Sequence, residues 1–120
     1  MPRRLGRDVV ERWHKNPIIT LENVPFPCNT VFNAGAVKFN DVYLLLTRIE
    51  DLAGRSVFAL ARSDDGYHFT VDPAPVMEPS KEEPYRSYER RGIEDPRITY
   101  LDGVYYIMYT AASRFGARLA

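Results

Sequence analysis

Two adjacent carboxylates followed by a proline and an arginine, Glu94-Asp95-Pro96-Arg97, form the stretch of this chain best suited to proton transfer. They lie inside Arg91-Gly92-Ile93-Glu94-Asp95-Pro96-Arg97-Ile98-Thr99, which reads as the mouth of a β-strand. Pro96 has a fixed φ and biases the residue before it towards an extended conformation, so Asp95 is expected on a stiff backbone. A stiffly held acid is what general acid catalysis needs. Arg97 is then its positioning partner. The competing reading is an Asp-Pro turn entering a strand, with Arg97 as a surface salt-bridge partner.

The elements that would position these groups are short strands. Val31–Phe39 and Val42–Ile49 are rich in β-branched and aromatic residues, and Asn40-Asp41 between them is a hairpin signal. Ser56–Arg62 and Tyr67–Val71 continue the meander across the turn Asp64-Asp65-Gly66. A long connection, Asp72–Arg91, carries four prolines and then alternating charges with Tyr85 and Tyr88. Long ordered loops of this kind are often functional. Strands resume at Pro96–Leu101 and Val104–Thr110 around Asp102-Gly103, with Ala117–Ala120 opening another.

The two halves repeat. Val37-Lys38-Phe39, a turn and Val42-Tyr43-Leu44-Leu45-Leu46 match Ile98-Thr99-Tyr100, a turn and Val104-Tyr105-Tyr106-Ile107-Met108, a period of about sixty residues. Small apolar strands repeated at this spacing suggest β-propeller blades. The fold class expected is all-β, with residues 1–28 as an arm and extended lead-in and 29–120 as the first one to two blades. The second copy is unfinished at Ala120, so the chain is expected to be the amino-terminal part of a longer protein with an exposed apolar sheet face.

Composition narrows the partners. Sixteen basic and sixteen acidic residues cancel, which gives no reason to expect nucleic acid or an anionic membrane. The single Cys28 offers neither an internal disulfide nor a thiolate pair for zinc, and no apolar run near the basic amino terminus resembles a signal peptide. A cytoplasmic setting is the expectation. Leu5, Val9, Val10 and Trp13 have near-helical spacing between Arg3 and Lys15, consistent with a short amphipathic turn or helix, the competing reading being an arm that packs Trp13 on the body. Asn16-Pro17, Pro25 and Pro27 keep residues 16–28 extended and irregular.

Several other residues have simpler explanations than a binding role. His68 reads as an exposed strand residue, and Ser63-Asp64-Asp65-Gly66 is too short for a calcium cage. No metal site is expected. Tyr105, Tyr106 and Tyr109 could stack on a sugar, but strand alternation sends about half of them to the core, and core packing is the expectation. Arg114 and Arg118 suit either surface salt bridges or a basic cradle.

With these residues in hand, the chain from about Asn16 onward resembles glycoside hydrolase family 130, the mannoside phosphorylases and related β-mannosidases. The marks are Asn16-Pro17-Ile18-Ile19, Asn29-Thr30-Val31-Phe32-Asn33-Ala34-Gly35-Ala36-Val37, Leu45-Leu46-Thr47-Arg48-Ile49-Glu50, Ala61-Arg62-Ser63-Asp64-Asp65-Gly66 and Gly92-Ile93-Glu94-Asp95-Pro96-Arg97-Ile98. The resemblance implies a five-bladed β-propeller with its sugar site on the central axis. It implies Asp95 as proton donor to the glycosidic oxygen, relayed through a mannosyl hydroxyl. Asn29 and Thr30 then lie near the sugar, and Arg48 with Glu50 on the acceptor side.

A glycosidase that inverts with water needs two carboxylates. A phosphorylase needs one, because phosphate is already a nucleophile, together with arginine or lysine to hold that phosphate. The function the resemblance implies is inverting phosphorolysis of β-1,4-mannosides to α-mannose 1-phosphate, with the phosphate cradle expected mostly from later blades beyond Ala120. Inorganic phosphate is the co-substrate and no cofactor is implied. Hydrolysis on the same fold and a non-catalytic sugar- or partner-binding propeller are the alternatives, and a homo-oligomer is compatible with either.

Overall fold

The computed structural model of the chain describes residues 10–120. Seven strands and one short helix follow one another: β1 (Thr30–Phe39), β2 (Val42–Glu50), β3 (Ser56–Ser63), β4 (Thr70–Val71), α1 (Tyr85–Glu89), β5 (Gly92–Leu101), β6 (Val104–Ser113) and β7 (Gly116–Leu119). Strands β1 to β4 form one antiparallel meander, and β5 to β7 form a second. The two meet where Ser56 of β3 pairs in parallel with Gly92 of β5. The result is a mostly β, propeller-like sheet that is partial and unclosed.

The repeat expected from sequence is present in detail. Each unit opens with a ten-residue strand and turns through two residues with positive φ, Asn40 and Asp41 in the first and Asp102 and Gly103 in the second. Those residue types tolerate the left-handed region, and such turns match the right-handed twist of paired strands. Each opening strand also carries a bulge, between Val31 and Ala34 in β1 and between Glu94 and Arg97 in β5.

Strand β3 is apolar on both faces and buried on both. Val57, Ala59 and Ala61 join Ile49 and Val71 in a core that Ile19, Val24, Phe26 and Cys28 of the lead-in cover. On the opposite face Phe58 joins Leu46 and Ile93, with Leu60, Met77, Ile98 and Tyr109 packed around them. This second core binds the two units together. Phe58 and Ile93 are fully buried, each contributing about 1.5–3 kcal/mol relative to exposure.

Local departures from the sequence expectations have identifiable causes. Strand β4 begins at Thr70 rather than Tyr67, because the Asp65 carboxylate accepts the backbone N–H groups of Tyr67 and His68 and removes them from any ladder. His68 is exposed and pairs with Asp65 at 2.7 Å. The N–H of His68, with its ring and the Tyr67 N–H, holds the Asp65 carboxyl well below its usual range. Strand β5 begins at Gly92 rather than Pro96, since a bulge absorbs the Asp-Pro step that otherwise reads as a boundary. The connection 72–91 holds the helix α1, and Leu21–Asn23 forms one 3-10 turn within the lead-in. Leu5 and Val9 of the proposed amphipathic turn lie outside the described residues, and residues 10–15 contain no helix.

Candidate active site

Bulges re-aim side chains, and the two in this chain belong to strands that touch. Gly35 of β1 packs so closely on β5 that a Cβ there would stand 3.0 Å from the Pro96 carbonyl oxygen and from Ile98 Cγ1. On β1 the bulge leaves Phe32 and Asn33 between the pairs Val31–Ile49 and Ala34–Thr47, beside Arg48 of β2. On β5 it comprises Asp95 and Pro96, between the pairs Glu94–Thr110 and Arg97–Met108.

Asp95 has φ +52°, so its backbone is left-handed and not extended as Pro96 led one to expect. The bulge is the cause. Its extra residue must break the pleat, and aspartate tolerates this conformation at a cost of about 1–3 kcal/mol. Pro96 is fully buried behind it. The break in alternation also separates Asp95 from Arg97, which would share a face in a regular strand. Arg97 is exposed and donates Nη1–H to the Pro96 carbonyl at 3.2 Å. Its expected place beside Asp95 is taken by Arg48.

Arg48 donates Nη1–H to Asp95 Oδ1 at 2.9 Å and places Nη2 3.1 Å from Glu94 Oε1. Its Nε–H goes to Ser56 Oγ at 2.8 Å, and Cζ lies 4.5 Å from the centroid of the Phe32 ring. The Arg48 side chain is only 18% exposed, whereas that of Asp95 is 47% exposed. A firmly anchored cation therefore holds a carboxylate that is half open to incoming molecules.

Next to this cluster, Asn29 donates Nδ2–H to Glu50 Oε1 at 3.1 Å and to the Asp51 carbonyl at 2.9 Å. Thr30 pairs with Glu50 across β1 and β2. Arg48 and Glu50 share a face of β2 but face different partners, Glu94 and Asp95 for one and Asn29 for the other. Glu94, Ser56 and Phe32 complete the Arg48 environment. Glu94 stood in the motif already, but nothing local marks Ser56 or Phe32.

Basic residues gather where β5 begins and β6 ends. Arg91, just before β5, and Arg114, just after β6, line a cleft of about 420 Å3 with Ser87 and Arg90. A larger cleft of about 630 Å3 is walled by Ile18, Ile19, Val31, Phe32 and Leu45 and holds neither Asp95 nor Arg48. Its apolar lining suits packing rather than proton chemistry. Among the described residues no group of three or more His, Cys, Asp or Glu could hold a metal ion, and no helix is long and apolar enough to cross a membrane.

Comparison with known proteins gives this geometry its setting. Residues 2–120 match the model of glycoside hydrolase family 130, described as beta-1,4-mannooligosaccharide phosphorylase. The chain belongs to glycoside hydrolase family 130. It is 39% identical over 95 residues to the 1,2-beta-oligomannan phosphorylase of Thermoanaerobacter sp. (strain X514), a stretch covering 73% of this chain and 29% of that protein. It is 40% identical over 65 residues to the beta-1,2-mannobiose phosphorylase of Listeria innocua, covering 54% and 17% respectively. One solved family 130 structure aligns with a TM-score of 0.79 and 31% identity, over 97% of this chain and 39% of that one. It was described with the finding that this family of mannoside phosphorylases contains glycoside hydrolases that target beta-1,2 mannosidic linkages in Candida mannan. The chain thus spans less than half the length of these relatives.

Proposed function

We propose that the protein of which this chain is at least a part is an inverting β-mannoside phosphorylase with Asp95 as its general acid. The observation that carries the reading is the Asp95 carboxylate, set on a left-handed bulge, gripped on one oxygen by Arg48 and half exposed. In this reaction Asp95 supplies a proton to the departing glycosidic oxygen, relayed through a mannosyl hydroxyl, as the bond from that oxygen to the anomeric carbon breaks. An oxygen of inorganic phosphate forms the new bond to the anomeric carbon from the opposite face, giving α-mannose 1-phosphate and the shortened acceptor. Asn29, Thr30, Arg48 and Glu50 would contact the sugars. Arg97 is exposed and donates to the Pro96 carbonyl, so in this reading the positioning of Asp95 passes to Arg48.

The phosphorylase reading over hydrolysis is supported by the relatives at 39% and 40% identity, both of which carry phosphorylase in their names; guanidinium forks, which suit phosphate oxygens, would hold the nucleophile. Linkage is a finer question. The sequence resemblance pointed to β-1,4, while the relatives at 39% and 40% identity carry β-1,2 in their names. Hydrolysis is the second reading, supported by the description of the structure aligned at 31% identity.

The test is to incubate the longest natural product of the gene with β-1,2- and β-1,4-mannobiose, with and without phosphate, and to follow mannose 1-phosphate and free mannose. Phosphate-dependent mannose 1-phosphate is expected. Free mannose regardless of phosphate would establish the hydrolase instead. Asp95→Asn should lower turnover by about 10²–10⁴-fold while sugar binding persists. Unchanged turnover in that variant would remove Asp95 from the acid role.

A further inference from the structure

The group that fixes the orientation of Arg48 is neither of its carboxylate partners. Two terminal nitrogens meeting two different carboxylates leave the guanidinium free to tilt about the line joining them, because long side chains have several soft torsions. The third anchor removes that freedom. Ser56 Oγ accepts the Nε–H at 2.8 Å, and the Phe32 ring backs the cation. Ser56 is 3% exposed, so its hydroxyl does not trade this bond for solvent.

Ser56 is itself fixed by the junction between the two sheet units. It is the β3 residue that pairs with β5, opposite Gly92. A Cβ on Gly92 would stand 2.6 Å from the Ser56 nitrogen, and Gly92 has φ +134°, so a glycine is what permits the approach. Gly92 lies three residues before Asp95 on the same strand. One buried serine therefore joins the strand that presents the acid, by its backbone, to the arginine that grips the acid, by its side chain.

We propose that Ser56 is a positioning residue for catalysis, aiming the Asp95 carboxylate through Arg48. The proposal rests on the reading of Asp95 as general acid. Loss of the Ser56 hydroxyl leaves the Arg48–Asp95 and Arg48–Glu94 pairs able to form over a range of tilts, so the acid is retained but poorly aimed. Misaim of a reacting group acts on the chemical step more than on ground-state binding.

The experiment compares wild type, Ser56→Ala, Arg48→Lys and the double variant in the longest natural product of the gene. Ser56→Ala is expected to lower kcat about tenfold or more with KM within about twofold. In the Arg48→Lys background, where no Nε–H donor remains, Ser56→Ala should produce no further loss. Ser56→Cys, which keeps a weak acceptor, should fall between serine and alanine. Equal losses from Ser56→Ala in both backgrounds, or wild-type turnover in the single variant, would overturn the proposal.

A second readout does not depend on turnover. In protein labelled with ¹⁵N-arginine, the Arg48 Nε–H resonance should shift and exchange faster with water in Ser56→Ala. An unchanged resonance would overturn the positioning role whatever the kinetics. Absence of any β-mannoside turnover by the wild type would instead sink the function reading, with the resonance still deciding whether Ser56 orients Arg48.

Discussion

At the residue scale the site turns on which arginine serves Asp95. Arg48 comes from β2, is mostly buried and makes three directed contacts, whereas Arg97 is the neighbour in sequence and bonds only a backbone carbonyl. Arg48→Ala would leave Glu94 and Asp95 side by side without their shared cation and is expected to reduce kcat/KM by about 10²-fold or more. Arg97→Ala should change kcat/KM by less than about threefold, since an exposed side chain bonded to its own neighbour contributes little. Steady-state kinetics of the two variants in parallel check this, and a larger loss from Arg97→Ala would reverse the assignment. The sequence made Asp95 visible, because Asp-Pro-Arg at a strand mouth is a local pattern. It did not show Asp95's left-handed φ, since a bulge depends on what the partner strand β6 offers, and no periodicity within β5 records that. Arg48 was legible as a site residue, but its partners lie about forty-six residues away in sequence, and only the packing of β5 on the first unit joins them.

At the element scale, hairpins with Asn-Asp and Asp-Gly turns were readable because turn chemistry is local. The short helix α1 was not. Its placement depends on a long-range pin: Tyr109 of β6 donates its hydroxyl to Glu89 Oε1 at 2.6 Å, and Ser80 N–H bonds Glu89 Oε2 at 2.7 Å. Burial, then the hydrogen bond to Glu89 and the charges of Glu89 and Tyr85, push the Tyr109 hydroxyl up to about 12. A group whose pKa rises on folding binds its proton more tightly in the native state. Its contribution is complete below the unfolded tyrosine value, about 10, and is lost as pH rises through about 12. Thermal midpoints measured from pH 9 to pH 12 should therefore decline more steeply in wild type than in Tyr109→Phe. The same slope in both would show that this hydroxyl is not linked to folding.

A second prediction at this scale concerns how β1 meets β5. Gly35 stands where any Cβ would press on the Pro96 carbonyl, which belongs to the bulge carrying Asp95. That oxygen is backbone and cannot rotate away, so Gly35→Ala must push the bulge or separate the strands. A loss of about 1–3 kcal/mol is expected, as for other overpacked interiors, together with reduced turnover. Chemical denaturation and kcat on the same sample test both halves. A stable variant with normal turnover would mean that β5 can shift without moving the acid.

At the scale of the whole molecule the sheet is open, and its shape says so. The radius of gyration is 16.6 Å with extents of 60 × 34 × 31 Å, against about 14 Å expected for a compact domain of this length. Tyr100, Val104, Tyr106, Ile107 and Met108 of the second unit are exposed, and the cleft beside Ile19, Val31 and Leu45 leaves apolar surface uncovered on the first. A closed ring of blades would cover such faces. Blade repetition and an exposed apolar face were legible because each unit repeats its turn and strand chemistry, whereas the packing of Phe58 on Ile93 across the two units was not, because it depends on how β5 docks on β3. A polypeptide of residues 1–120 alone is accordingly expected to self-associate, since exposed strand edges and apolar patches of this kind pair with whatever they meet. It should also turn over no β-mannoside, because Asp95 would act without the walls that orient a sugar and its phosphate. Sedimentation velocity and product analysis on that polypeptide decide both points. A stable monomer with Asp95-dependent turnover would show that these two units alone make a working site.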